Sequence, residues 1–213
     1  MSEINYKHIA IEGCIGAGKT ELAQQLHNDL GGDIILEHFA ENKFLPLFYQ
    51  DPKMYGFHVE LTFLTDRYAQ ILSYQELLKK RANFVISDYF FDKSFIFSDN
   101  NLEGAELKLY RKLFHFLHDN LQKPNIVLYL YKHADSLLRN IQKRGRPYEQ
   151  NIQKHYLKKI QAKYLAYLEN VTDYPVLLLN TDALDFVSNQ SDYDFIKHLL
   201  SEEYECKNHR LYF

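Results

Sequence analysis

The feature that most constrains this chain is the octapeptide Gly13-Cys14-Ile15-Gly16-Ala17-Gly18-Lys19-Thr20, which fits the spacing G-x-x-x-x-G-K-[ST]. It follows the apolar run His8-Ile9-Ala10-Ile11-Glu12 and opens a helical pattern from Thr20 to Leu30 that stops at Gly31-Gly32. A Gly-rich turn between a buried strand and a helix lets several backbone N–H groups converge on one phosphate, and the helix adds its positive N-terminal end. Gly13, Gly16, Ala17 and Gly18 would supply that backbone cradle. Lys19 would reach the β- and γ-phosphates of a bound nucleotide, and the Thr20 hydroxyl would hold Mg²⁺. A Gly-rich turn with a merely solvated lysine is the bland alternative, but it does not account for the strand–turn–helix setting.

A strand–loop–helix start commits the chain to α/β alternation, and the remainder keeps that rhythm. Further strand-like runs are Asp33-Ile34-Ile35-Leu36-Glu37, Asn83-Phe84-Val85-Ile86-Ser87, Ile126-Val127-Leu128-Tyr129-Leu130-Tyr131 and Val176-Leu177-Leu178-Leu179-Asn180. Helical spacing marks 55–80, 90–98, 103–121, about 134–143, 151–170 and about 192–204. Five buried strands with helical crossovers predict an α/β fold with a mostly parallel sheet covered by helices on both faces. The 213 residues suit a single domain, 1–204, with a lid at about 140–150. Residues 205–213 read as a frayed tail.

Composition removes several functional classes. With 25 Lys+Arg against 28 Asp+Glu, the net charge of −3 offers no surplus for holding a nucleic-acid polymer. No run is apolar for the roughly 20 residues needed to cross a bilayer. The start, Met1-Ser2-Glu3-Ile4-Asn5-Tyr6-Lys7, lacks the layout of a signal peptide. Cys14 and Cys206, far apart, make neither a disulfide framework nor a zinc knuckle and fit a reduced, cytoplasmic protein. Cys14 reads as a small filler rather than a reactive thiol. No N-K-x-D run is present, so base reading of the GTPase kind is not expected.

Two carboxylates sit where the strands end. In an open α/β sheet, ligands lie at the carboxyl ends of the strands. Glu37 there can take a proton from a hydroxyl attacking the γ-phosphate, and Asp88, ending the third strand, can hold Mg²⁺. Arg139, Lys143, Arg144 and Arg146 crowd one helix end before Pro147-Tyr148-Glu149. Arg144-Gly145-Arg146 carries two guanidinium forks on a flexible hinge, suited to closing over phosphates and expelling water. His115 and His118 read as part of an ordinary amphipathic helix, and the aromatics massed at 44–58 as a possible clamp for a planar base.

Taken together, the sequence resembles the bacterial deoxynucleoside kinases of the deoxyadenosine/deoxyguanosine kinase type, from about His8 to Leu200. The likeness rests on Gly13–Thr20, on Asn42-Lys43-Phe44-Leu45-Pro46-Leu47-Phe48-Tyr49, on Phe57 to Arg67, on Ile141 to Gln150 and on Leu184-Asp185-Phe186-Val187. It implies the P-loop nucleotide kinase fold with a five-stranded parallel sheet, transfer of the ATP γ-phosphate to a deoxynucleoside 5′-hydroxyl, with purine as the favoured base, and a homodimer formed by helices. By position it makes Glu37 the general base and Tyr49 and Glu149 the pair holding the sugar 3′-hydroxyl. It likewise makes Arg67 a base reader, Arg144 and Arg146 the catalytic lid, and Asp185 and Phe186 part of an adenine-binding loop. Four positions depart from the pattern. Glu60 stands where the family has Gln, Tyr89 follows Asp88 where the family has Arg, Ser94 stands at an Asp position, and Asn140, with Arg139 adjacent, stands at the first lid arginine. Either another basic residue, Lys93 or Arg139, replaces the missing positive charge, or the acceptor is unusual, or activity is weak; Glu60 is expected to pair with Arg67. Two other readings stay open: a thymidylate-type nucleoside monophosphate kinase, and a nucleotide-binding subunit with weak transfer.

Overall fold

The computed structural model describes residues 4–78 and 84–211. Met1–Glu3 of the N-terminal reading, the helix end at Lys79 and Lys80, the strand start at Asn83 and the last two tail residues lie outside these. Strands β1 (His8–Gly13), β2 (Asp33–Ile35), β3 (Val85–Ser87), β4 (Ile126–Tyr131), β5 (Val176–Asn180) and β6 (Asn208–Leu211) form one sheet. The order is β2-β3-β1-β4-β5-β6, and every pairing is parallel. Helices α1 (Lys19–Leu30), α2 (Leu45–Gln50), α3 (Pro52–Leu78), α4 (Lys93–Asn101), α5 (Gly104–His118), α6 (Ala134–Arg144), α7 (Lys154–Leu168) and α8 (Gln190–Ser201) make the connections.

The α/β class and parallel sheet agree with the sequence pattern, but the described sheet has six strands, not five. The sixth lies in the segment expected to fray: Asn208–Leu211 pairs with Val176–Leu179. Its Asn208-His209-Arg210-Leu211 has no apolar run because an edge strand is covered on one side only. The Tyr6 hydroxyl helps to hold its approach, donating to the Glu202 carbonyl at 2.9 Å and accepting from the Tyr204 N–H at 3.1 Å.

Strands β1, β4 and β5 are buried along nearly their whole length, which is why they read as continuous apolar runs rather than alternating ones. A second apolar cluster lies beneath α3 and α5, built from Leu64, Ile71, Tyr89, Phe91, Tyr110 and Phe114. The chain winds from β1 outward through β2 and β3, then returns past β1 to β4. That reversal brings the ends of β1, β2 and β3 side by side and opens a crevice between diverging connections.

Candidate active site

The first wall of the crevice is the turn from β1 into α1. Gly16 and Gly18 adopt φ of +84° and +94°, values costly for any residue with a Cβ. Gly18 also has no room for one: a Cβ there would lie 2.9 Å from the Phe186 ring. Phe186 itself is buried, so the late loop leans directly on the turn. Asp185 holds that loop in shape, its carboxylate accepting from the Ser188 N–H at 3.1 Å. Between them lies a cavity of about 530 Å³, lined by Gly18, Lys132, Asn140, Arg144, Asp185 and Phe186 among others. Asn140 donates to the Gly16 carbonyl at 2.8 Å, tying α6 to the turn.

Lys19 folds back over its own loop, donating to the carbonyls of Gly13 at 2.9 Å and Cys14 at 3.1 Å. Its pKa is lowered, first by burial and then by the charge of Lys93. The Thr20 hydroxyl donates to Asp88 Oδ2 at 2.5 Å, and Asp88 Oδ1 accepts from the Glu37 N–H at 2.8 Å. A hydroxyl and a carboxylate in contact at a phosphate loop are the hard oxygen donors that Mg²⁺ takes alongside phosphate oxygens, so these residues fit that ion. Cys14 is buried, its thiol is pushed up to about 11 chiefly by burial, and it offers no accessible thiolate. Glu12, singled out by no sequence motif, lies fully buried beneath the loop. Its carboxylate accepts from the N–H groups of Gly13 and Phe90 at 3.1 Å and from the Tyr164 hydroxyl at 3.0 Å.

The opposite wall is a network of side chains centred on Glu37. Arg67 donates to Glu37 Oε1 through Nε at 2.8 Å and through a terminal nitrogen at 2.5 Å. Lys93 Nζ donates to Glu37 Oε2 at 2.6 Å. Burial pushes the Glu37 carboxyl up, but Lys93 and Arg67 outweigh it and hold the pKa at about 2. Arg67 also donates to Ser94 Oγ at 2.8 Å. The expected Glu60–Arg67 ion pair does not form. Glu37 captures the guanidinium instead, and Glu60 Oε1 accepts from the Asn101 amide at 2.6 Å.

The geometry explains the missing arginine. Tyr89 turns away from the crevice into the second core, where its hydroxyl donates to the Gln70 carbonyl oxygen at 2.8 Å. One turn further on, Lys93 starts α4 and carries a cation to Glu37 from the other side. Arg139, the other replacement considered, is exposed on α6 and donates to Ser136 Oγ at 2.9 Å.

Arg144 and Arg146 flank Gly145, whose φ is +75°, and both guanidinium groups reach Glu149. The Arg146 guanidinium lies 3.6 Å over the Phe39 ring. Glu37, Tyr49, Arg67, Arg144, Arg146 and Glu149 line one narrow cavity of about 90 Å³ with Lys19, Thr20 and Asp88. Of the aromatics at 44–58, only Tyr49 reaches it; Phe48 packs with Leu45 and Val59, and Phe44 and Tyr55 pack against that group. Phe39, Phe63 and Phe97 supply the other rings, and these were missed because they lie in three different segments. The crevice therefore sets a phosphate cradle against an ionised carboxylate and a ring-lined slot, the layout that phosphoryl transfer to a hydroxyl requires.

Comparison with known proteins agrees with this chemistry. The family model "Deoxynucleoside kinase" matches residues 9–203. A deoxyguanosine kinase of Bacillus subtilis (strain 168) is 38% identical over 192 residues, covering 88% of this chain and 93% of that protein. A deoxyadenosine kinase of Lactobacillus acidophilus is 32% identical over 197 residues, covering 86% and 89%. Among solved structures, a deoxyadenosine kinase from M. mycoides with bound dATP superposes with a TM-score of 0.78 at 26% identity. It covers 92% of this chain and 100% of that one.

Proposed function

The chain belongs to the deoxynucleoside kinase family, and on that premise we propose how its residues divide the work of moving the ATP γ-phosphoryl group to the 5′-hydroxyl of a purine deoxynucleoside. The observation that carries this reading is Glu37, clamped between Arg67 and Lys93 on the face of the crevice opposite the phosphate loop. A carboxylate held at about 2 is ionised throughout the neutral range and always ready to accept from a hydroxyl. Such a weak base suits a loose transition state, in which the hydroxyl proton leaves late and positioning matters more than basicity.

The backbone of Gly13 to Gly18, with Lys19, cradles the donor phosphates, while Arg144 and Arg146 neutralise the group in flight. Lys19 and the two arginines would be bonded to phosphate rather than to their own loop and to Glu149. Thr20 and Asp88 would hold Mg²⁺, which supplies charge neutralisation at the phosphate oxygens when bound. Asp185 and Phe186 border the cavity for the donor adenine. Tyr49 and Glu149 take the sugar, and Glu60, Arg67 and Ser94 take the base. Purine preference is supported by the names of the relatives, which are deoxyguanosine and deoxyadenosine kinases.

A homodimer is supported by the face of α5 that carries Leu109, Leu113 and Phe116, with Leu72 of α3 also exposed. Phe116 is 73% exposed, an unusual setting for a large ring in a chain that works alone. A cytoplasmic setting is supported by two unpaired cysteines, one buried. No helix among the described residues is long and apolar enough to cross a membrane.

The test is incubation of the purified protein with labelled ATP and each of the four deoxynucleosides. Labelled deoxynucleoside 5′-monophosphate from a purine substrate is the expected product. ATP binding without product from any of them would instead favour a non-catalytic subunit, and preference for dTMP would favour a monophosphate kinase.

A further inference from the structure

Glu12 lies near the end of β1, is 0% exposed, and has no part in the division of work above. Its three donors come from three separate elements. Oε2 accepts from the Gly13 N–H, where the phosphate loop begins, and from the Tyr164 hydroxyl on α7. Oε1 accepts from the Phe90 N–H, three residues before Lys93. One carboxylate therefore joins the loop that cradles phosphate to the turn that leads into α4.

The charged and titratable groups facing Glu12 are Lys19 on α1, Lys93 on α4, Glu37 after β2, Cys14 in the loop, Tyr129 on β4 and Tyr164 on α7. Burial raises the Glu12 carboxyl, and Lys93 and Lys19 pull it back. Between the lysines the sign reverses: the charge of Lys93 lowers the pKa of Lys19, and the charge of Glu12 raises it. Lys19 belongs to the phosphate wall and Lys93 to the carboxylate wall, so two like charges face one crevice. Glu37 and Asp88 also act on Lys19, but Glu37 is taken up by Arg67 and Lys93, and Asp88 by Thr20. The donors of Glu12 are all neutral, which leaves its charge to balance the two lysines.

We propose that Glu12 is a positioning residue for phosphoryl transfer, the shared counter-charge that lets Lys19 and Lys93 face each other and the tie that fixes the distance between their two walls. This rests on the reading above that the crevice transfers a phosphoryl group. Glu12 lines neither cavity of the crevice. It acts through Lys19, which meets the phosphates, and through Lys93, which holds Glu37. An anion so near the phosphate cradle repels the nucleotide it helps to process, so removing its charge has opposite effects on binding and on turnover. A carboxylate that only supported the fold would lower both together.

The test compares Glu12→Gln, Glu12→Asp and Tyr164→Phe in the whole protein, by ATP titration, kcat and thermal unfolding. Glu12→Gln keeps the shape and loses the charge, so kcat should fall by about tenfold to a hundredfold as the walls shift. ATP affinity should hold or rise by up to about threefold, because repulsion is removed beneath the phosphates. Glu12→Asp keeps the charge and should stay within about tenfold of the unmodified kcat. Tyr164→Phe removes one neutral donor and should lower kcat by no more than about threefold. ATP affinity that falls together with kcat in Glu12→Gln overturns the proposal, as does a Tyr164→Phe variant as slow as Glu12→Gln. If Glu12→Gln does not fold, Glu12→Asp decides: a folded variant that has lost more than about tenfold in kcat overturns the proposal, and a smaller loss supports it. No transfer by the unmodified protein would remove the kinase reading, and the change in ATP affinity on Glu12→Gln would still decide the role of Glu12 at the phosphate loop.

Discussion

On one side of the crevice the turn from Gly13 to Thr20 presents backbone: three glycines at positive φ, a helix start and one lysine folded over the loop. On the other side Glu37, Arg67, Lys93 and Ser94 present almost no backbone, only side chains that hold one another. A backbone device is fixed by local conformation and needs its residues in unbroken order. A side-chain network needs only charges of the right sign converging on one point, and these can come from any neighbouring turn. Tyr89 and Lys93 illustrate this, because the cation reaches Glu37 from four residues further along the chain.

The largest expected effect tests the first side. Lys19→Ala should lower kcat/KM for ATP by about a thousandfold or more, because a cation is removed where charge develops on the transferred group. Steady-state kinetics together with a nucleotide-binding titration check this, and intact ATP affinity would show that the backbone cradle suffices for binding. Glu37→Gln should lower turnover by roughly a hundredfold or more while ATP affinity stays nearly unchanged. Near-normal turnover would remove Glu37 from the reaction and reduce the second side to a structural ion cluster.

Lys93→Ala sharpens the contrast further. Turnover should fall by about tenfold to a hundredfold, and the pH dependence should change as well. With both cations in place the Glu37 carboxyl sits at about 2, so its protonation limits activity only at acidities well below neutrality. Removing Lys93 takes away the first of the two charges that lower it, so the acid limb of the kcat profile should move to higher pH. A profile whose acid limb stays where it was would mean that Arg67 alone sets the ionisation of Glu37.

The sequence made these two sides unequally readable, for the same physical reason. The loop is contiguous, so its spacing carries its geometry, and the strand ends that place Glu37 and Asp88 follow from the apolar runs. Glu12 was invisible because a lone acid at the end of an apolar run carries no pattern; only three converging donors reveal it. The partner of Arg67 was misjudged because Glu60 and Glu37 are both near enough to attract it. The choice between them depends on Asn101, which lies 41 residues from Glu60 in the chain. Strand β6 was hidden because an edge strand pairs by backbone and needs no apolar side chains.

The smallest expected effect separates the two cations that could stand in for the absent arginine. Arg139 lies on α6 beside Asn140, whose amide reaches the Gly16 carbonyl, so its neighbour's contact with the phosphate loop gives it a claim. Its side chain, however, is exposed and bonded to Ser136, and it lines neither the cavity shared by Glu37 and Lys93 nor the one beside Phe186. Arg139→Ala should therefore leave stability within about 0.5 kcal/mol and turnover within about twofold, measured by denaturant unfolding and by kcat. A tenfold loss of kcat at unchanged stability would mean that α6 swings Arg139 into the crevice when nucleotide is bound. The charge facing Glu37 would then belong partly to the lid, and the side-chain wall would be assembled only on closure.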